Sequence, residues 1–227
     1  MKYIALILLF LTFVTGSFAQ ERYVKPVDDA AKDASFLAFR KKVIAAVDKK
    51  DAKFIYSIID PKIELSFGGD FGLADFKRIW KIESKNTAFW DEFGRVIKNG
   101  GSFYAVGNRK VGGFAAPYTY SSFPDSPEID QFEHNVIFGN NVNLRESPSM
   151  DGKVKELLSY NIVTLIGNKM KPGKIKGEEE FDWFHVKTLG GKTGWVKAEF
   201  VRSPIDFRAG FEKKGGQWKM VFFIAGD

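Results

Sequence analysis

The spacing of apolar residues changes once, near Asn135, and that change commits the chain to a helix-rich part followed by a strand-rich part. Before it, Phe36, Leu37, Phe39, Val43, Ile44 and Val47 recur at three- and four-residue intervals, which predicts an amphipathic helix capped by Ser35. A second helix over residues 52–59 should end at Asp60-Pro61, because the residue before a proline disfavours helical geometry. Ile63, Leu65 and Phe67 then alternate with polar residues, the pattern of a half-buried strand over residues 63–67, and Gly68-Gly69-Asp70 turns the chain. Two further helices are predicted, over residues 73–81 with Phe76, Ile79 and Trp80 inward, and over residues 89–97 with Phe89, Trp90, Phe93 and Ile97 inward. Asn99-Gly100-Gly101 stops the last of these. Residues 102–127, rich in Gly, Pro, Ser and aromatics, read as ordered loops, with a linker over residues 125–130.

After Asn135 the period shortens to that of strands, over residues 136–138, 142–144, 154–158, 162–166, 183–186 and 194–196. Close spacing with turn signals predicts a small β-barrel or sandwich. The charged stretch at residues 169–180 reads as a solvated hairpin tip. A last hairpin follows, over residues 207–212 and 218–225, and its continuous apolar run Met220-Val221-Phe222-Phe223-Ile224 needs neighbours on both faces. A barrel already complete by Val201 has no place for it. It is therefore expected to return to the N-terminal unit and join the strand at residues 63–67 in a small antiparallel sheet. The fold class read from the sequence is α+β. Its expected units are an N-terminal α+β domain (residues 20–134), a small barrel (135–203) and a C-terminal hairpin (204–227) packing on the first.

Residues 1–19 have the zones of an export signal: Lys2, the apolar run from Ile4 to Val14, and Ser17-Phe18-Ala19 before Gln20. The run is shorter than the roughly 20 residues a spanning helix needs, so cleavage and no transmembrane segment thereafter are expected. The product would be exported, to the periplasm or the outside. There is no cysteine in the chain, which removes disulfides, thiolate nucleophiles and Cys metal ligands together. Stability must then come from burial, and twenty-three phenylalanines suit that. The formal charge of +6 is carried by interspersed residues without a long basic cluster, so nucleic acid is a poor partner.

The run Asn141-Val142-Asn143-Leu144-Arg145-Glu146-Ser147-Pro148-Ser149 resembles the opening of a bacterial SH3-like (SH3b) domain, usually V-N-V-R-x-x-P-S. Trp183-Phe184-His185-Val186 and Gly194-Trp195-Val196 are similar to the W-x-x-V and G-W-V blocks of the same family's second half. The resemblance covers about residues 136–203, and the long central hairpin departs from compact members. In physical terms Pro148 favours a turn, Trp183 and Trp195 offer anchors for a core too small for aliphatics alone, and Gly194 permits a backbone bend. The resemblance implies a module binding cell-wall peptides or other extracellular ligands. Arg145, Tyr160, Trp183, His185 and Trp195 are the expected groove residues. The expected partner is a cell-wall peptide or glycan, or another envelope protein.

Signals for chemistry are sparse. Gly190-Gly191-Lys192-Thr193-Gly194 contains G-K-T but lacks the first glycine of a phosphate loop, Val186 standing in its place. Ser66-Phe67-Gly68-Gly69-Asp70-Phe71-Gly72 reads as a turn. His134, read as a linker residue, and His185 have no His or Cys nearby at metal-ligand spacing, so no metal and no cofactor are expected. Asp60, Asp70 and Asp91-Glu92 read as turn caps and solvated acids. The ending Gly216-Gln217-Trp218-Lys219-Met220 resembles the last strand of small cone-shaped domains of the nuclear-transport-factor-like type. That implies an interior lined by Trp80, Trp90 and Phe67. Three readings follow: a non-catalytic envelope binding protein, an enzyme or small-ligand pocket in the N-terminal unit delivered by the barrel, and a structural protein–protein role.

Overall fold

The computed structural model describes residues 20–124, 126–171 and 180–226, without the side chains of residues 109–111. The leader, Asp125 of the linker and most of the charged hairpin tip lie outside the described residues. Two sheets organise the rest. The first has five strands, in the order β1 (Ile59–Glu64), β12 (Gln217–Ile224), β11 (Arg208–Lys214), β3 (Arg109–Ala116) and β2 (Ser102–Val106); the second has seven, in the order β10 (Val201–Arg202), β4 (His134–Ile137), β7 (Ile162–Met170), β8 (Phe181–Thr188), β9 (Thr193–Lys197), β5 (Val142–Arg145) and β6 (Val154–Leu158).

Helix α1 (Ala34–Lys49) starts where Asp33 accepts hydrogen bonds from the backbone N–H of Ser35 at 2.7 Å and of Phe36 at 3.0 Å. Asp33, not Ser35, is the cap; the Ser35 hydroxyl instead donates to Asp33 and accepts from the Trp218 indole at 3.0 Å. Helices α2 (Ala52–Ile58), α3 (Gly72–Trp80) and α4 (Phe89–Ile97) follow. Ile79, expected to face inward, is 41% exposed.

The first sheet comprises β1 (Ile59–Glu64), β2 (Ser102–Val106), β3 (Arg109–Ala116), β11 (Arg208–Lys214) and β12 (Gln217–Ile224). The terminal hairpin does return to the N-terminal unit, but β1 pairs with β12 in parallel, so the sheet is mixed rather than antiparallel. Pro61 sits inside β1, which is tolerable because β1 is an edge strand and has no ladder partner on one side. The region read as loops holds the hairpin of β2 and β3 and a short helix α5 (Tyr118–Ser121).

The helices and one sheet face enclose an aromatic core in which Phe36, Phe76, Phe89, Phe93, Phe114, Phe211 and Phe223 have no exposed surface. Phe36 lies at its centre, 4.2 Å from Phe114 and 4.9 Å from Trp218 by ring centroids. Each such ring contributes roughly 1.5–3 kcal/mol on burial. Trp90 is buried among them with its indole donating to the Ile82 carbonyl at 3.1 Å, whereas Phe67 is 57% exposed on a turn.

The second sheet is antiparallel throughout: β4 (His134–Ile137), β5 (Val142–Arg145), β6 (Val154–Leu158), β7 (Ile162–Met170), β8 (Phe181–Thr188), β9 (Thr193–Lys197) and β10 (Val201–Arg202). Ile137, Val201 and Leu158, from opposite ends of the strand order, meet in one cluster, so the sheet curls into a half-barrel. Its fully buried residues are aliphatic, with Phe184 packed at the side. Trp183 and Trp195 do not anchor that core. His134, read as linker, is a buried residue of β4.

The N-terminal segment straps the two sheets together. Glu21 accepts from the Thr188 hydroxyl at 2.6 Å and from the Asn161 amide at 3.1 Å, while the Val24 N–H reaches the Tyr160 carbonyl. A few residues on, the Asp29 N–H donates to the Gly101 carbonyl of the first unit. Val24, Tyr118, Ile129, Val136 and Ile162 form the apolar seam between the two.

Candidate functional site

Strand alternation sorts the side chains of β5, β8 and β9 onto two faces. Val142, Leu144, Val186 and Val196 point into the half-barrel and are buried. Asn143, Arg145, Trp183, His185, Trp195 and Lys197 therefore occupy its outer face, and the cross-strand register sets them side by side. Arg145 lies opposite Trp195, Trp195 opposite His185, and Trp183 opposite Lys197.

A cleft of about 310 Å³ opens on this face. Trp183, only 3% exposed, forms its base, and Asn143, Arg145 and Lys197 line its sides. Met150 and Phe200, 63% and 39% exposed, stand at its mouth. The loop carrying Met150 is pinned twice: the Arg145 guanidinium donates to the Gly152 carbonyl at 2.7 Å, and the Lys169 ammonium donates to the Pro148 carbonyl at 3.0 Å. Phe200 ends the 3-10 turn Ala198–Phe200, whose last carbonyl accepts from the Phe138 N–H at 2.7 Å. Both apolar residues are thus held in the open by backbone contacts. Such exposure costs solvation unless something covers it.

The cleft wall carries two cations and one acid, Glu199. Lys197 is 3.5 Å from Asp182, a partly exposed pair that neutralises it only in part. Beside the cleft His185 lies flat on Trp195, with centroids 4.8 Å apart and planes 10° from parallel. Gly194 is needed here for closeness rather than for a bend, since a Cβ would sit 2.7 Å from the Arg145 carbonyl oxygen and the Leu144 side chain.

Four of the five residues expected in the groove thus share one face: Arg145 and Trp183 line the cleft, while His185 and Trp195 flank it. Tyr160 does not join them. It sits at φ 61° between β6 and β7 with its ring 6.5 Å from Tyr118, and lines a cavity of about 320 Å³ at the seam between the two units. Met150 and Phe200 escape a reading based on alternation because both sit in turns. The signal that would have found them is a large apolar side chain in an otherwise polar turn, as in Ser149-Met150-Asp151 and Glu199-Phe200.

The N-terminal unit carries a surface cleft of about 610 Å³ beside Trp80 and Phe207. Its Asp70 is held 2.6 Å from Arg78, and Asp60 is held 3.0 Å from Lys214. Burial alone would raise the Asp60 carboxyl, but the Lys62 N–H and the Lys214 ammonium together keep it below the ordinary carboxylate range. Among the described residues, no group of three or more His, Cys, Asp or Glu could hold a metal ion. Lys192 of the G-K-T run is ion-paired with Glu156 in a turn between strands. No described helix is long and apolar enough to cross a membrane.

No curated protein and no solved structure matches the chain. The family model of the bacterial SH3 domain matches residues 140–202, the segment that runs from β5 to β10 and carries the whole of the outer cleft.

Proposed function

We propose that the protein is exported, loses residues 1–19, and works in the cell envelope as a binding protein rather than a catalyst, with the outer cleft of its SH3-like unit taking a cell-wall peptide. The observation that carries this reading is the cleft itself: an indole base, two exposed apolar residues held by backbone contacts, and a wall with more cationic than anionic groups. That combination suits a short peptide with alkyl side chains and a carboxylate, the chemistry of wall stem peptides. The bacterial SH3 match supports a binding module of this kind. Export rests on the leader pattern of the sequence.

The test is retention of the purified protein on insoluble peptidoglycan at low and at moderate salt. Retention at both, weakened by Met150→Ala combined with Phe200→Ala, is expected. No retention at either salt would remove the wall ligand. Recovery of a chain beginning near Gln20 from the periplasm or medium tests export separately.

A further inference from the structure

The N-terminal strap, the end of α4 and the SH3-like unit meet around a cavity of about 320 Å³. Backbone contacts from both units fix its walls. The Gly101 N–H donates to the Val27 carbonyl at 2.8 Å, the Tyr118 N–H to the Asn99 carbonyl at 3.0 Å, and the Tyr160 N–H to the Gly139 carbonyl at 3.1 Å. A Cβ on Gly100 would fall 2.1 Å from the Val27 carbonyl oxygen, so the strap lies this close to the helix end only because a glycine stands there. The volume is at the low end of the roughly 300–1,000 Å³ of small-molecule sites, which suits a ligand of one ring.

Three aromatic rings line it. Tyr118 stacks on Phe138 with planes 14° apart and centroids 5.7 Å apart, and it stands edge-on to Tyr160 at 83° and 6.5 Å. Pro26 and Val27 add to the apolar lining. Tyr160 is held in place at φ 61°, a left-handed conformation that is costly for a bulky residue and persists only where the surroundings enforce it.

The polar groups around the rings share one bias. Tyr118 is 4% exposed, yet among the described residues nothing hydrogen-bonds its hydroxyl. That oxygen is not one of the polar atoms closed off from solvent, and the cavity is the space Tyr118 borders. Burial first, then Tyr160, raises the phenol above its ordinary value of 10 against the opposing charge of Arg202, so it stays an O–H donor without an acceptor. Arg202 lies behind the rings, buried, with its guanidinium 5.8 Å from the Phe138 centroid. Its Nε has no partner among the described residues, and its one ion pair is with Asp206 at 3.3 Å. Lys98, also in the lining, pairs with Asp48 across an exposed surface, a weak bond that leaves its ammonium available to another anion. Asp28, the acid of the lining, is already taken up: both its oxygens accept from the buried Arg40 guanidinium at 2.6 Å. The cavity thus has a hydrogen-bond donor and positive charge to spare, and no spare negative charge.

We propose that this seam cavity is a second binding site, separate from the SH3-like cleft, and that its ligand is a small aryl carboxylate. The ring packs against Tyr118, Phe138 and Tyr160, and the carboxylate accepts from the Tyr118 hydroxyl with Lys98 as its counter-charge. A ring in this corner stacks on one aromatic neighbour and meets another edge-on, the two arrangements such pairs prefer. A hydrogen bond from a phenol to a carboxylate is of the stronger, charge-assisted kind. An amine in the same place would meet Lys98 and the field of Arg202. Because Tyr118 and Lys98 belong to the first unit and Phe138 and Tyr160 to the second, a bound ligand also ties the two together.

The experiment is calorimetric titration of the purified protein with three probes of one shape and different charge: phenylacetate, phenylacetamide and phenethylammonium. Phenylacetate is expected to bind, about tenfold tighter than the amide, with the ammonium weakest. Tyr118→Phe, which keeps the ring, should weaken phenylacetate about tenfold. Lys98→Met should weaken it about threefold and leave the amide unchanged. In isotope-labelled protein, phenylacetate should shift the amide resonances of Tyr118, Gly139 and Tyr160 and spare Met150 and Phe200, which separates this site from the SH3-like cleft whether or not that cleft binds wall peptide. Four results would overturn the proposal: no phenylacetate binding at millimolar concentration, the amide or the ammonium binding as tightly as phenylacetate, undiminished binding to Tyr118→Phe, or shifts centred on the SH3-like cleft.

Discussion

His185 and Trp195 face each other across β8 and β9 and stack with their planes 10° from parallel and their centroids 4.8 Å apart. Stacked cross-strand pairs contribute about 0.5–1 kcal/mol beyond the area they bury. In urea unfolding, His185→Ala and Trp195→Ala should each destabilise the protein. The double variant should lose less than the sum by about that coupling energy. Additive losses would mean that the stack contributes nothing of its own.

Glu21 accepts from two buried donors, the Thr188 hydroxyl and the Asn161 side-chain amide. Removing it strands both in a seam that water reaches poorly. Glu21→Ala should cost about 1–3 kcal/mol, and Glu21→Gln, which keeps one acceptor oxygen, clearly less. Thermal unfolding of the three proteins side by side measures this.

Asp33 sets the start of α1 and links the pH to it. The Ser35 hydroxyl, followed by the Phe36 N–H, holds its carboxyl below the ordinary value of 3.8. A group depressed in the folded state contributes stability above its unfolded pKa and loses it as the pH falls through its folded one. Asp33→Ala should therefore cost about 1 kcal/mol at neutral pH. The gap between the two proteins should shrink only below pH 3.8, the ordinary carboxyl value. Stability curves that stay parallel down to the acid limit would contradict the assignment.

The helices were legible in the sequence because their period and their punctuation agree: Phe89 to Ile97 is a helix as read, with Asn99-Gly100-Gly101 beyond it. Strands whose residues answer to distant partners were not. Gly112 and Gly113 look like loop residues until the Tyr104 and Val106 side chains that need their space are known. Alternation along β1 says nothing about whether its neighbour runs parallel, and Pro61 hides the strand's true start at Ile59. The SH3-like motif pointed to Arg145 and Trp183 through residue types. Both tryptophans could be read as groove residues or as core anchors, and the choice was not legible because it depends on aliphatic residues from seven strands filling the small core.

We propose that residues 20–134 and 204–227 form one folding unit interrupted by the SH3-like segment. Strand β12 lies between β1 and β11 in the first sheet, and Met220 and Phe223 sit in its core. Deleting residues 207–227 removes both β11 and β12. The remaining chain should lose the cooperative unfolding transition of the aromatic core, read by near-ultraviolet circular dichroism. A preserved transition would show that the hairpin is dispensable.

The outer cleft between β5, β8 and β9 is proposed to take a wall peptide. That binding is tested most directly by titrating isotope-labelled protein with a soluble muropeptide and following its amide and indole resonances. Saturable shifts are expected at Arg145, Met150, the Trp183 indole and Phe200. Affinity should be about tenfold weaker when Met150 and Phe200 are both replaced by Ala. Shifts confined to other surfaces, or none at millimolar muropeptide, would contradict it.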